Sequence, residues 1–281
     1  MCLIAFAIGA SPRHPLVIAS NRDEFLDRPT LMLGQWQTGY GQEVISGRDM
    51  RAGGTWLGIT PEGRVAFLTN VREIEAKTAE LSRGELVTRW LESRSDVGTF
   101  ADLLKNNSYR YGGFNLVLGD MQRNSWSWMT NRSLVSAPGW HFLSLPAGVY
   151  GLSNAALDTP WPKTVYLKKA MNESLRQEVI ADLDDHSWQE PLWTALGNRT
   201  RFLIHGSLRT AAYDVMESAL SSAFVEFSEK GYGTRSSTVL VASRIVKPIR
   251  GKTLRISLLE KTYSHKSTCE VPFLSSFFLY V

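Results

Sequence analysis

Apolar residues fall into two kinds of run along this chain. Short runs of small and β-branched residues bounded by Gly and Pro fit strands, and longer stretches with apolar positions three and four apart fit helices. The first run, Leu3 to Ile8, is followed by Gly9-Ala10-Ser11-Pro12-Arg13, and a second, Leu16 to Ala19, leads into Ser20-Asn21-Arg22-Asp23-Glu24. The pattern predicts a β-hairpin. With its turn centred between Pro12 and Arg13, Cys2 lies opposite Asp23, with Cβ atoms about 5 Å apart. A shift of one residue brings Arg22 or Glu24 there instead.

Further strands are predicted at Glu43 to Asp49, from Gly53-Gly54-Thr55-Trp56 to Ile59, and from Arg64 to Thr69, ending at Asn70. Ser82-Arg83-Gly84-Glu85 matches a capping box ahead of a helix over 83–93. A second helix is predicted over 96–104. Strands at 113–119 and 125–130 turn through Asp120 to Asn124, and another runs from Val149 to Asn154. Asp158-Thr159-Pro160-Trp161-Pro162 signals entry to a helix over 163–178, whose Lys163, Lys168, Lys169 and Arg176 read as a solvated face. Helices are predicted over 187–197 and 212–227, then paired strands at Thr238 to Ala242 and Thr253 to Leu259. The tail from Ser264 is polar and then apolar: an added strand, a docked tail or a poorly ordered end. Strand-rich ends around helices suit a sheet sandwich covered by helices.

Composition narrows the class. A chain of 281 residues with 43% hydrophobic residues can fill a large single core, and nine Trp and twelve Phe point to aromatic packing or an apolar pocket. The net charge of +4 is spread along the chain, which argues against nucleic acid as a partner. There are two cysteines, Cys2 and Cys269, so no disulfide framework is expected. The five histidines share no ligand spacing and read as structural or surface residues, so no metal and no cofactor is expected. The start of the chain lacks a signal-peptide pattern. No apolar run approaches the ~18 residues of a spanning helix, so the protein is expected not to be an integral membrane protein but a cytoplasmic one.

Candidate chemistry gathers at Cys2. Methionine is commonly removed before a small second residue, which would leave Cys2 with a thiol and a free α-amine. Such an amine has a pKa near 7.7–8.0 and can act as a base near neutral pH. A base built into the nucleophile's own residue is one solution for N-terminal catalysis. Asp23 is placed to hold the amine, and Arg22 to hold the thiolate or a substrate carbonyl. The alternative is a buried structural cysteine beside a polar loop. Asn70, Asn154 and Arg235 punctuate strand ends. Asn amides can face a developing oxyanion, and Arg235 can meet a carboxylate or phosphate; each also fits as a turn or cap residue. Gly53 and Gly54 either let backbone approach a ligand or simply make a turn that buries Trp56.

Asn21-Arg22-Asp23-Glu24 is the signature of the NRDE family, also called the transport-and-Golgi-organisation protein 2 family, which this chain resembles. The likeness extends through Met1-Cys2-Leu3-Ile4, Gly53 to Gly58, Ser82-Arg83-Gly84, Tyr111 to Asn115, Gly151 to Asn154, Leu157 to Lys163 and Tyr232 to Arg235. It covers residues 1–263 as a single domain, and leaves 264–281 as an atypical tail. The family in turn resembles cysteine N-terminal-nucleophile hydrolases. The resemblance implies an α+β fold, a four-layer αββα sandwich of two antiparallel sheets. It implies Cys2 as nucleophile, Asp23 as amine partner, Arg22 as charge stabiliser, Asn70 and Asn154 as oxyanion or amine contacts, and Arg235 as electrostatic support. Asn21, Glu24, Gly54, Thr55 and Trp56 are expected on the substrate side. Because Arg22 and Asp23 are adjacent, they point to opposite strand faces unless the backbone departs from regular geometry at Asn21, which makes Arg22 the weaker assignment. The function this implies is an amidohydrolase or acyltransferase for a small non-peptide amide or acyl substrate. The alternative is a non-catalytic binding or trafficking protein for haem, acyl-CoA or lipid ligands. Loss of Asp23 is expected to raise the thiol pKa and slow its alkylation.

Overall fold

Alternation along the first strand, β1 (Cys2–Ile8), sets the frame. In the computed structural model, which describes residues 2–73, 79–132, 139–177, 186–202, 218–264 and 272–281, Cys2, Ile4, Phe6 and Ile8 face one core while Leu3, Ala5 and Ala7 face another. β1 pairs with β2 (Leu16–Phe25) as predicted, with a different register. Gly9 N–H donates to Pro15 O, so the loop closes symmetrically about Pro12, and Cys2 lies opposite Arg22 rather than Asp23. The one-residue shift moves every cross-strand neighbour.

The second sheet is a meander in chain order. It comprises β3 (Thr30–Gln37), β4 (Glu43–Asp49), β5 (Leu57–Ile59), β6 (Arg64–Asn70), β7 (Phe114–Asp120), β8 (Ser125–Thr130) and β9 (His141–Ser144). The sequence pattern did not predict β3 or β9. Both are edge strands, β9 exposed throughout and β3 exposed or half-buried except at Leu33, so neither shows clean alternation. Helices α1 (Gly84–Glu92) and α2 (Val97–Lys105) cover the outer face of this sheet and bury Trp90, Phe100 and Leu104. The predicted capping box does not form, since α1 begins without a side-chain cap.

The first sheet collects both ends of the chain. Its order is β10 (Gly148–Leu152), β1, β2, β12 (Tyr232–Ile249), β13 (Lys252–Thr262) and β14 (Phe273–Tyr280), with β11 (Glu226–Phe227) paired to β12. The tail is therefore an added edge strand, and its Phe277, Leu279 and Val281 pack onto the core between the sheets. Helices α3 (Pro162–Gln177) and α4 (Glu190–Leu196) cover the outer face, against Ala5, Ala7, Ala19 and Val239. Of the helix expected over 212–227, residues 212–217 lie outside the described residues; only 218 and 219 are helical, and the chain then turns and enters β11, so the expected helix does not extend to 227. The layers are thus helices, sheet, sheet, helices, as the α+β expectation requires. The aromatic surplus fills packed cores: Phe6, Phe67, Trp126 and Trp128 between the sheets, and Trp90 and Phe114 beneath α1 and α2.

A polar staple joins the sheets at their β3–β13 side. A bulge in β3 between Leu31 and Gly34 releases Leu33 N–H from the ladder, and it donates to Glu260 on β13 at 2.8 Å. Among the described residues, no helix is long and apolar enough to cross a membrane.

Candidate active site

Cys2 opens β1 on the face between the sheets, as a buried free thiol. Directly across, Arg22 is only 5% exposed. Its guanidinium lies 4.3 Å over the Trp56 ring, with Nη2 3.9 Å from Glu24. A Cβ at Gly47 would come within 2.4 Å of that ring, so the bare backbone of Gly47 lets Trp56 reach Arg22. The register reverses the order expected for the two charged residues: Arg22 shares the face of Cys2, and Asp23 points to the helical side.

Asp23 still borders the cleft, because it sits near the strand end. The backbone irregularity lies on the neighbouring strand, where β12 bulges between Thr234 and Ser236, opposite Asp23 and Arg22. Thr234 Oγ1 donates to Asp23 Oδ1 at 2.6 Å and accepts Val225 N–H at 2.8 Å, while Tyr232 OH donates to Asp23 O at 2.9 Å. Behind Asp23 stands Lys163, in the first turn of α3. It is buried, in contrast to the solvated face expected for it, and its Nζ donates to Leu220 O at 2.8 Å.

The other side of the site is stitched across the two sheets. Ser153 Oγ donates to Cys2 O at 3.2 Å. Asn154 Nδ2 donates to Asn70 O at 3.1 Å, and Asn115 Nδ2 to Ala155 O at 2.7 Å. The first of these bonds stays within the first sheet; the other two cross to the second and hold the loop after β10 against β6 and β7.

The cleft encloses about 470 Å³. Of the residues singled out from the sequence, Cys2, Arg22, Asp23, Glu24, Thr55, Trp56 and Asn70 line it. The rest stand behind its wall. Asn21 spends its amide on Leu196 O at 2.8 Å and Ala223 O at 2.9 Å. Gly54 packs against the Gly84 backbone, where a Cβ would meet the carbonyl carbon at 2.5 Å. Arg235 donates to Phe25 O at 2.9 Å and Arg28 O at 3.1 Å, bracing the turn after β2. Arg83 and Glu73 also line the cleft, though neither was expected there. The Ser82-Arg83-Gly84 motif carried a signal for Arg83, and the Pro162-Lys163 motif one for Lys163.

Burial dominates the electrostatics. It pushes the Cys2 thiol pKa up; the Asp23 and Glu24 charges add to that and Arg22 opposes it. Burial also raises the Asp23 carboxyl, against the lowering influence of Lys163, Thr234 and Arg22. Asp23 therefore opposes ionisation of the thiol, which reverses the expected sign of its effect on Cys2. Among the described residues, no cluster of His, Cys, Asp and Glu could hold a metal ion.

Two antiparallel sheets between helical layers, with a cysteine opening the first strand, define an N-terminal-nucleophile hydrolase fold. The mutant C2A conjugated bile acid hydrolase from Clostridium perfringens superposes with a TM-score of 0.52 over 99% of this chain and 92% of its own, at 9% identity. The chain belongs to the family described as Transport and Golgi organisation 2, whose model matches residues 1–263. It is 31% identical over 249 residues to the human Transport and Golgi organization protein 2 homolog, covering 86% of this chain and 88% of that protein. The Drosophila melanogaster Transport and Golgi organization protein 2 is 29% identical over 255 residues, covering 86% and 87%.

Proposed function

We propose that this protein is a cysteine amidohydrolase or acyltransferase of the N-terminal-nucleophile type, acting on a small non-peptide amide or acyl substrate. Cys2 is the nucleophile once Met1 is removed. The observation that carries this reading is the placement of a free thiol on a cleft wall, at the start of the first strand and opposite a buried guanidinium. In this scheme the freed α-amine takes the thiol proton and the thiolate adds to the substrate carbonyl. Arg22, across the strand pair from Cys2, faces the oxyanion. The C–N bond then breaks, and the leaving amine takes the proton back. Water hydrolyses the thioester, or a second nucleophile accepts the acyl group. A reduced thiol nucleophile fits a cytoplasmic setting.

The carrier reading, with haem, acyl-CoA or a lipid bound without turnover, has less support. The cleft is walled by charged residues such as Arg28, Asp49, Glu73 and Arg83, and the aromatic mass lies in packed cores. Intact mass spectrometry is expected to find mature protein lacking Met1. A thiol-directed probe is expected to label Cys2, and an amide panel to yield turnover that Cys2→Ala abolishes. Active protein that retains Met1 would rule out the amine as base.

A further inference from the structure

The cleft's charges do not balance locally once each carboxylate is traced to its partners. Asp49 accepts from Arg28 Nη2 at 2.6 Å and Nε at 2.9 Å. Glu73 accepts from Arg132 Nε at 2.7 Å and Gly113 N–H at 3.0 Å. Glu80 accepts from Arg110 Nε at 2.9 Å, Asp23 from Thr234, and Glu24 from Phe25 N–H at 2.9 Å.

Two guanidiniums on the wall are left under-used. Arg22 Nη1 is buried and meets no hydrogen-bond acceptor among the described residues; the other terminal nitrogen, Nη2, lies 3.9 Å from Glu24 Oε2, beyond bonding distance. Arg83 makes one bond among the described residues, from Nη1 to Gly113 O at 3.2 Å, out of the five N–H donors a guanidinium carries. Backbone packing of Gly54 on Gly84 positions Arg83 at the start of α1, and Trp56 holds the Arg22 plane. A buried donor left unmet costs free energy that a bound acceptor recovers.

We propose that Arg83 and Arg22 form an anion subsite beside Cys2 that binds a carboxylate or phosphate oxyanion carried by the substrate. This rests on Cys2 being the nucleophile and narrows the substrate to a compact amide or acyl compound bearing an anionic group, rather than a neutral lipid amide. The cleft volume of about 470 Å³ lies within the range of small-molecule sites. Guanidinium forks match the paired oxygens of both anions.

The test compares two alkylating probes at Cys2 of the mature protein, anionic iodoacetate and neutral iodoacetamide. The subsite predicts that iodoacetate reacts at least as fast as iodoacetamide. Arg83→Gln should lower the iodoacetate-to-iodoacetamide rate ratio about tenfold, which corresponds to one charge-assisted contact, and Arg83→Lys should keep most of it. Acetate and inorganic phosphate, added at matched ionic strength, should each slow iodoacetate more than iodoacetamide. The stronger competitor identifies the anion. If Arg83→Gln does not fold, this wild-type competition decides the matter. A ratio unchanged in Arg83→Gln, or no selective competition by either anion, overturns the subsite. Labelling by neither reagent instead removes Cys2 as nucleophile. The subsite then stands or falls on melting temperature: phosphate or acetate should stabilise Cys2→Ala and not Arg83→Gln, and the absence of any shift overturns it.

Discussion

Thr234 donates its hydroxyl to Asp23 Oδ1 across 2.6 Å and at the same oxygen accepts the Val225 N–H at 2.8 Å. One side chain thus ties a buried carboxylate to the segment that crosses behind it. Lys163 anchors the same segment through Leu220 O at 2.8 Å, and its charge lowers the Asp23 pKa. Asp23 is held from the helical side of the sheet, whereas Cys2 and Arg22 occupy the side between the sheets. The cleft wraps around the end of β2 and brings the two faces together.

Asp23→Asn is expected to raise the melting temperature by a few degrees at pH 7 while removing turnover. Burial lifts the folded carboxyl pKa. A raised pKa means stability that is complete below the unfolded value and lost as pH rises through the folded one, so at neutral pH the charge is a cost. The same substitution removes a charge that raises the Cys2 pKa, so iodoacetamide should alkylate Cys2 faster. Slower alkylation, with an unchanged melting curve, would contradict this account.

Lys163→Met leaves Leu220 O without its buried donor and should cost about 1–3 kcal/mol in urea unfolding. Asp23 would lose its opposing cation, so the pH at which Cys2 alkylation responds to that carboxyl should move upward. Lys163→Arg should restore the profile. A profile that stays in place would make Lys163 a purely structural residue.

Gly54→Ala drives a Cβ to 2.5 Å from the Gly84 carbonyl carbon. The three closest atoms, Gly84 C, Gly84 O and Glu85 N, are all backbone, so none can rotate aside, and the turn before β5 must separate from the start of α1. Equilibrium unfolding should show a loss of about 3 kcal/mol or more. A stable variant would mean that this junction yields easily.

His14 stacks on Trp188 with centroids 4.7 Å apart, and its Nδ1 lies 2.9 Å from Ser243 Oγ. Burial, helped by Arg13, lowers its pKa to about 4. The stability gained from keeping the ring neutral is present above the unfolded value near 6.5 and lost as pH falls through about 4. Melting temperatures should drop over that window by the equivalent of up to about 3 kcal/mol. His14→Gln should flatten the dependence, and an equally steep fall in that variant would assign the loss to other groups.

The sequence carried most of the strands and helices, because the short apolar runs of β1, β6, β7 and β8 mark strands buried on both faces and the spacing in α1, α2 and α3 records which helix face is buried. It was silent for β3 and β9, whose edge positions leave little apolar contrast to read. It also placed Cys2 beside the charged cluster and singled out Arg22, Asp23, Glu24, Thr55, Trp56 and Asn70, which line the cleft with it.

Other features depended on the folded chain. The hairpin register follows from how the loop around Pro12 closes, and a single step exchanged Asp23 for Arg22 opposite Cys2. Arg83 and Lys163 join the site from helices far along the chain, each carried there by packing that no local pattern encodes. The hydrophobic pattern of a segment states which side turns inward. Which polar residues then meet at the rim is set by loop closure and by how closely helix backbone can approach sheet, and those are properties of the whole fold.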